Sequence, residues 1–183
     1  LFEPSSESFI ILNNKYKNNY NVKINQLALS DKKSQSTLYI NKKDYTNSLL
    51  EINPIAEESW IGEELSSLRK ENINIETIDD FCSSSDIKKI NLLKLDVQGL
   101  EAKVLRGTEK MLKRNLIDII ILEIITTPTY NNQSLPSEVF QLLEQNDYSL
   151  FGIYDIMKAS YKRPILQFDV IFISDKYKEL FIK

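Results

Sequence analysis

The stretch from residue 90 to residue 114 restricts the fold of this chain more than any other part of it. An apolar run, Ile90–Asp96, ends in an acid and is followed by Gly99 and a helical pattern. If the run is a strand, Leu93 and Leu95 lie on one face and Leu92 lies on the other. A strand that is apolar on nearly both faces is typical of the interior of a parallel sheet covered by helices.

A change of period marks the helix that follows this strand. Leu100, Val104 and Met111 fall on one helical stripe, and a second nearly continuous apolar run, Ile117–Ile125, comes directly behind it. The pattern therefore predicts a strand–helix–strand unit. Together with an earlier apolar segment, Val22–Leu29, it predicts three parallel strands of one sheet in an α/β, three-layer, Rossmann-like sandwich.

The two ends of the chain add further elements to this domain. Leu1–Glu3 has the pattern of the end of a strand, and Ser5 or Ser6 can cap the helix that follows. Because a mature protein rarely begins at the end of a strand, we expect that sequence is missing upstream. Tyr148–Ile156 and Ile165–Ser174 are predicted to close the chain as two antiparallel strands.

An insertion is expected over residues 35–75. Gln35–Ile40 and Ser48–Ile52 have the pattern of a short β-ribbon, and Ile55–Lys70 that of a polar helix. The single tryptophan, Trp60, lies in this predicted helix. We interpret it as the anchoring aromatic of a surface element and favour that over a binding role.

Composition limits the class of protein. The chain has 183 residues, which suits one domain over residues 1–183. It has no histidine, which excludes Ser-His-Asp catalysis and leaves a carboxylate, a lysine, a tyrosine, a metal-bound group or water as the proton acceptor. A single cysteine excludes an internal disulfide and fits a reducing, cytoplasmic location. The 23 basic and 26 acidic residues are interleaved, so nucleic acid is not an expected partner. The most hydrophobic segment of the sequence is too short to span a bilayer.

Three acids, Glu3, Asp96 and Glu123, fall at predicted strand ends. Ligands of open α/β sheets bind beyond the carboxyl ends of the strands, so these acids are expected to converge on one edge of the sheet. Lys94 shares a strand face with Asp96 and can pair with it or with a substrate anion. The alternative is structural: Asp96 caps the following helix, and Glu3 is an exposed acid beside a proline turn.

Five segments occur in the order seen in the FkbM-type methyltransferase family, which the chain resembles over residues 1–125. They are EPSSESFIILNNKYKNN, QLALSD, TIDDF, KLDVQGLEAKVLRGTEKML and IIILEI. The resemblance implies a class I S-adenosylmethionine-dependent enzyme with a mostly parallel sheet and an antiparallel last strand. It also implies methylation of a hydroxyl group on a sugar, glycan or small natural product.

The same resemblance implies roles for individual residues. Glu3 would hold the cofactor ribose, and Ser30 and Asp31 would border the adenine. The polar residues near the substrate end would be Lys94, Asp96, Glu101 and Glu123.

The chain departs from the family pattern in two places. Gln98 stands where the family usually has glutamate, and this loss of a charge beside Asp96 disfavours a divalent metal site. The family's first strand and glycine-rich loop are absent. Because that strand would lie between those of Glu3 and Asp96, we expect a gap at the centre of the sheet.

Two other classes of protein share part of this pattern. A nicotinamide- or nucleotide-sugar-binding enzyme can use the same acid at a strand tip to hold a ribose. A non-catalytic α/β binding module also fits the fold pattern. The upstream sequence and a cofactor titration distinguish these alternatives from a methyltransferase.

Overall fold

A computed structural model describes residues 1–159 and 164–179 of the chain. Its helices and strands are α1 (Ser6–Tyr16), β1 (Ala28–Leu29), β2 (Ser34–Asn41), α2 (Ala56–Ser59), β3 (Ser67–Glu76), α3 (Ile78–Ser84), β4 (Ile90–Leu95), α4 (Glu101–Arg106), α5 (Glu109–Lys113), β5 (Ile117–Ile125), α6 (Pro136–Glu144), β6 (Tyr148–Lys158), β7 (Ile165–Ser174) and α7 (Asp175–Lys178). None of the helices in the described ranges has the length and apolar character needed to cross a membrane.

The strands form two separate mixed sheets. The first has the order β1-β3-β2, in which β3 is parallel to β1 and antiparallel to β2. The second has the order β4-β5-β7-β6, with a parallel β4–β5 pair and two antiparallel pairs. The predicted parallel pairing of Ile90–Asp96 with Ile117–Ile125 is therefore confirmed, as is the antiparallel pair at the end of the chain.

The single, mostly parallel sheet is not found. Of the predicted strand Val22–Leu29, only Ala28–Leu29 is a strand, and it pairs with β3 instead of joining β4 and β5. A lone parallel bridge joins Phe2 to Asn25. In the described residues β1 and β4 each lie at the edge of a different sheet.

The predicted helix over Ile55–Lys70 is wrong. Only Ala56–Ser59 is helical there, and β3 begins at Ser67. The reason is the period-two pattern further along β3, where Ile73 and Ile75 are buried and alternate with exposed residues. Pairing with β2 buries these two isoleucines in a common apolar cluster, which outweighs the helical preference of the polar residues before them.

The core lies on one face of the second sheet. Leu93, Leu95, Leu122 and Phe172 are buried there in one cluster that includes apolar residues of α3, α4, α5 and α6. On the opposite face of β4 the side chain of Leu92 is 55% exposed. Helices therefore cover one face of β4 in the described residues, and a third layer is not formed over it.

The turn after β4 does not use Asp96 as a helix cap. The helix begins after Leu100, which has no side-chain cap. The backbone N–H groups near its start donate to side chains other than that of Asp96. Ser134 Oγ accepts a hydrogen bond from the Ala102 amide at 3.0 Å, and a Glu101 side-chain oxygen accepts one from the Gly99 amide at 3.1 Å. The structural alternative for Asp96 is thus wrong, and its carboxylate is available for other contacts.

The helical pattern after β4 is interrupted at Gly107, where α4 ends. A Cβ atom at this position would lie 2.1 Å from the backbone oxygen of Ser30. Only glycine permits this approach, which joins the end of α4 to the residues that follow β1.

Candidate functional site

Two cavities meet at the carboxyl ends of β4 and β5. The first has a volume of about 270 Å³ and includes Glu3 in its lining. The second has a volume of about 300 Å³ and includes Glu123. Tyr45, Asp96 and Gln98 line both cavities. Asp96 therefore lies at the boundary between two spaces, each of which has one of the other two predicted acids.

The first cavity presents Glu3 beside the start of α1. Glu3 Oε1 accepts a hydrogen bond from the Ser5 amide at 2.8 Å, which fixes the carboxylate. Burial raises the pKa of Glu3, against the effect of the Ser5 hydrogen bond, and the nearby charges of Asp44 and Glu71 raise it further. The predicted helix start is confirmed, with Ser5 as the cap of α1.

Gln98 connects the two acids of the second cavity. Its side-chain nitrogen donates to Asp96 Oδ1 and to Glu123 Oε2, each at 2.9 Å. Its side-chain oxygen accepts from the hydroxyl of Tyr130 at 2.8 Å. The predicted convergence of Asp96 and Glu123 is therefore observed, through an amide that the sequence pattern did not identify as functional.

Glu123 is held on both sides. In addition to the contact with Gln98, its Oε1 accepts a hydrogen bond from Gln167 Nε2 at 2.7 Å. Burial raises the pKa of Glu123 to about 6, and the charge of Asp96 contributes in the same direction. The ammonium of Lys94 partly opposes this shift.

Lys94 and Asp96 form a loose ion pair. The distance from Lys94 Nζ to Asp96 Oδ2 is 3.7 Å, which is too long for a hydrogen bond but close enough for charge compensation. The side chain of Asp96 is 44% exposed, so a ligand can reach it. The predicted pairing of these two residues is confirmed.

Ser30 and Asp31 occupy a different place. Ser30 is buried, its amide donates to the Glu76 carbonyl at 3.1 Å, and its hydroxyl donates to Asp31 at 3.2 Å. Neither residue lines the two cavities. Their assignment to the adenine remains a prediction.

Glu101 lies beneath the site. Its side chain is buried, and burial raises its pKa to about 7 although backbone N–H groups, among them that of Gly99, act in the opposite direction. This carboxylate supports the turn that carries Gln98 and does not line either cavity.

Aromatic residues of the second cavity were missed by the sequence analysis. Trp60 was interpreted as a surface anchor, but it lines this cavity, and its indole N–H donates to Thr129 Oγ1 at 2.7 Å. Tyr45 and Tyr130 line it as well. The only signal for Trp60 was its uniqueness in a polar segment, and no local pattern marked the two tyrosines.

The described residues contain no group of three or more acids or cysteines placed to hold a metal ion. At the turn after β4, where a third carboxylate would complete such a group with Asp96 and Glu123, the chain has the neutral amide of Gln98.

The protein therefore has an α/β fold with two adjoining cavities at the ends of its strands. Each cavity is lined by carboxylates, and together they have room for two ligands side by side. The comparison with protein families gives the more specific answer. The model of the methyltransferase FkbM domain matches residues 1–150. The chain therefore belongs to the FkbM methyltransferase family, and it is a methyltransferase. Comparison with curated proteins and with solved structures gives no further match.

Proposed function

We propose that this methyltransferase uses S-adenosylmethionine to methylate a hydroxyl group of a sugar, glycan or small natural product. The cofactor occupies the first cavity and the acceptor occupies the second. The observation that carries the proposal is the position of Asp96, which lines both cavities. A group at this boundary can contact an acceptor oxygen while that oxygen faces the methyl group.

Glu3 is the residue proposed to hold the cofactor. Its Oε1 is engaged by the Ser5 amide, and Oε2 would accept a hydrogen bond from a ribose hydroxyl. The volume of about 270 Å³ is just below the usual range for small-molecule sites, so this cavity would hold the nucleoside part of the cofactor and not the whole of it. When bound, the cofactor supplies a methyl group on a positively charged sulfur.

Asp96 is the proposed proton acceptor. With the cofactor bound to supply the methyl group, Asp96 would accept the proton that the acceptor hydroxyl loses. The chain has no histidine for this task. Lys94 Nζ lies 3.7 Å from Asp96 Oδ2, so it compensates the charge of the carboxylate. At this distance it forms no hydrogen bond, and the oxygen stays available to a substrate.

Glu123 is proposed to orient the acceptor instead of taking its proton. Both of its oxygens already accept hydrogen bonds from amide groups, those of Gln98 and Gln167. Among the described residues, only one oxygen of Asp96 accepts a hydrogen bond from an amide. Correct placement of the two reactants can supply a large part of the rate enhancement, on the order of 7–11 kcal/mol in well-oriented systems.

The test is the Asp96→Asn variant of the full-length protein. Asparagine keeps the shape of the side chain and removes the charge that accepts the proton. We expect methyl transfer, measured as S-adenosylhomocysteine release with a mixture of neutral glycans, to fall on the order of 10²-fold or more. Cofactor affinity, measured by calorimetry, should not change because the ribose contact belongs to Glu3.

Asp86→Asn is the matched control. Asp86 is exposed, has a positive φ of 55° that asparagine tolerates, and lies outside both cavities. It should retain wild-type turnover. Full activity of Asp96→Asn in a well-folded protein would contradict the assignment of Asp96 and make Glu123 the candidate base.

A further inference from the structure

The side-chain amide of Gln98 has only one orientation that satisfies its neighbours. Its two N–H groups are directed to Asp96 and Glu123, and its oxygen faces the hydroxyl of Tyr130. The reverse orientation would place the amide oxygen against two carboxylates. Because an amide has two donors on one side and an acceptor on the other, the network determines its direction.

The backbone of Gln98 is also held in an unusual conformation. Its φ is +49°, in the left-handed region that residues with a Cβ rarely adopt. The hydroxyl of Ser48 donates to the Gln98 carbonyl at 2.7 Å. Backbone strain of this kind persists where surrounding contacts fix it, and it is concentrated at functional sites.

Tyr130 is fixed in this arrangement, and its single hydroxyl proton is shared by two acceptors. Its side chain is 2% exposed, and its hydroxyl lies 2.9 Å from the Thr46 carbonyl as well as 2.8 Å from Gln98. The Gln133 side chain accepts hydrogen bonds from the amides of Thr129 and Tyr130, which fixes the loop. Burial raises the pKa of Tyr130, so the group remains a hydroxyl and continues to donate.

We propose that Gln98 is a positioning residue for methyl transfer, because its amide holds the carboxylates of Asp96 and Glu123 side by side at the boundary of the two cavities. This inference rests on the proposed role of Asp96. Two carboxylates bonded to the same amide nitrogen repel each other, and a neutral group that donates to both lets them share one site. A third acid in its place would add repulsion instead.

The titratable and charged groups that face this cluster come from several elements. Lys94 lies on β4, Glu101 on α4 and Asp169 on β7, and the wall of the second cavity adds Tyr45, Glu63 and Tyr130. Lys94 is the one cation among them in the described part of the chain. An added negative charge at position 98 would therefore act mainly on carboxylates.

The decisive variant is Gln98→Asn in the full-length protein. Asparagine keeps the amide and tolerates a positive φ better than glutamine, so the backbone is preserved. Its side chain is one methylene shorter and cannot reach both carboxylates. We expect unchanged thermal stability and cofactor affinity, with kcat lowered on the order of tenfold to 100-fold.

Gln98→Glu adds a readout that a purely structural role would not change. The third carboxylate should move the acidic limb of the kcat–pH profile to higher pH by about one unit or more. Tyr130→Phe removes the hydroxyl that holds the amide oxygen and should lower kcat without moving the profile. Wild-type kcat in Gln98→Asn, or an unshifted profile in Gln98→Glu, would overturn the inference.

Asp96→Asn, assayed in parallel, separates the two proposals. If that variant keeps full activity, the proposed function of Asp96 fails. If it is inactive while the Gln98 variants behave as wild type, only the positioning role of Gln98 fails. Asp86→Asn again serves as the control for substitution at a distant acid.

Discussion

Replacement of Glu101 by glutamine should change how the stability of the protein depends on pH. The side chain of Glu101 is 3% exposed, and its carboxylate accepts a hydrogen bond from the Gly99 amide at 3.1 Å. Burial raises its pKa from 4.5 to about 7, despite the backbone N–H groups that stabilise the charged form. The folded protein therefore binds this proton more tightly than the unfolded chain does.

The direction of the effect follows from that difference. Below pH 4.5 the carboxyl group is protonated in both states, and its contribution to stability is fully present. As the pH rises toward 7 the unfolded chain loses the proton first, so the free energy of unfolding decreases. A shift from 4.5 to about 7 corresponds to about 3 kcal/mol over this interval, as an order of magnitude.

The assay is urea unfolding of wild type and Glu101→Gln at four pH values between 4.5 and 7.5, at constant ionic strength. Because glutamine does not titrate, the variant should gain about 3 kcal/mol relative to wild type from the lowest to the highest pH. Glu109→Gln is the control, because the hydrogen bond and ion pair with Lys113 lower the pKa of Glu109. Any effect of its titration on stability therefore belongs mainly to pH values below 4.5. A constant difference between wild type and Glu101→Gln would refute the reasoning.

Two further substitutions test the two cavities separately. Glu3→Ala should weaken S-adenosylmethionine binding by roughly 1.5–3 kcal/mol through loss of charge-assisted hydrogen bonds, and unchanged affinity by calorimetry would remove Glu3 from the site. Trp60→Leu should raise the KM for the acceptor while cofactor affinity stays constant, because Trp60 lines only the second cavity of the two. An equal loss of affinity for both ligands would show that the substitution disturbs the fold.

Local sequence patterns were sufficient to predict an element of the fold where the environment of its residues depends on near neighbours in the chain. The runs Ile90–Asp96 and Ile117–Ile125 are apolar because β4 and β5 are packed against the same helices, so both strands and their parallel pairing could be predicted. The same holds for Ser5, which caps α1 by accepting a hydrogen bond from the amide three residues later.

Other features depend on partners far along the chain. β3 begins with exposed residues from Ser67 onward, and it is a strand because β2 lies beside it. The contact between Gln98 and Tyr130 joins residues 32 positions apart, and Trp60 meets Thr129 across 69 positions. No periodicity or local motif encodes such pairs, so the meeting of Asp96 and Glu123 could be predicted from their strand ends, but the groups that hold them could not.

The junction at Gly107 has a consequence for how this family's sequences vary. A Cβ atom there would lie 2.1 Å from a backbone oxygen of Ser30, so one partner admits no side chain and the other contributes only main chain. Neither position can compensate for a change in the other. Statistical searches for coupled substitutions in an alignment would therefore detect no signal between residues 30 and 107. The point where α4 meets the end of β1 is invisible to covariation because Gly107 cannot accept a side chain and Ser30 takes part through its backbone alone.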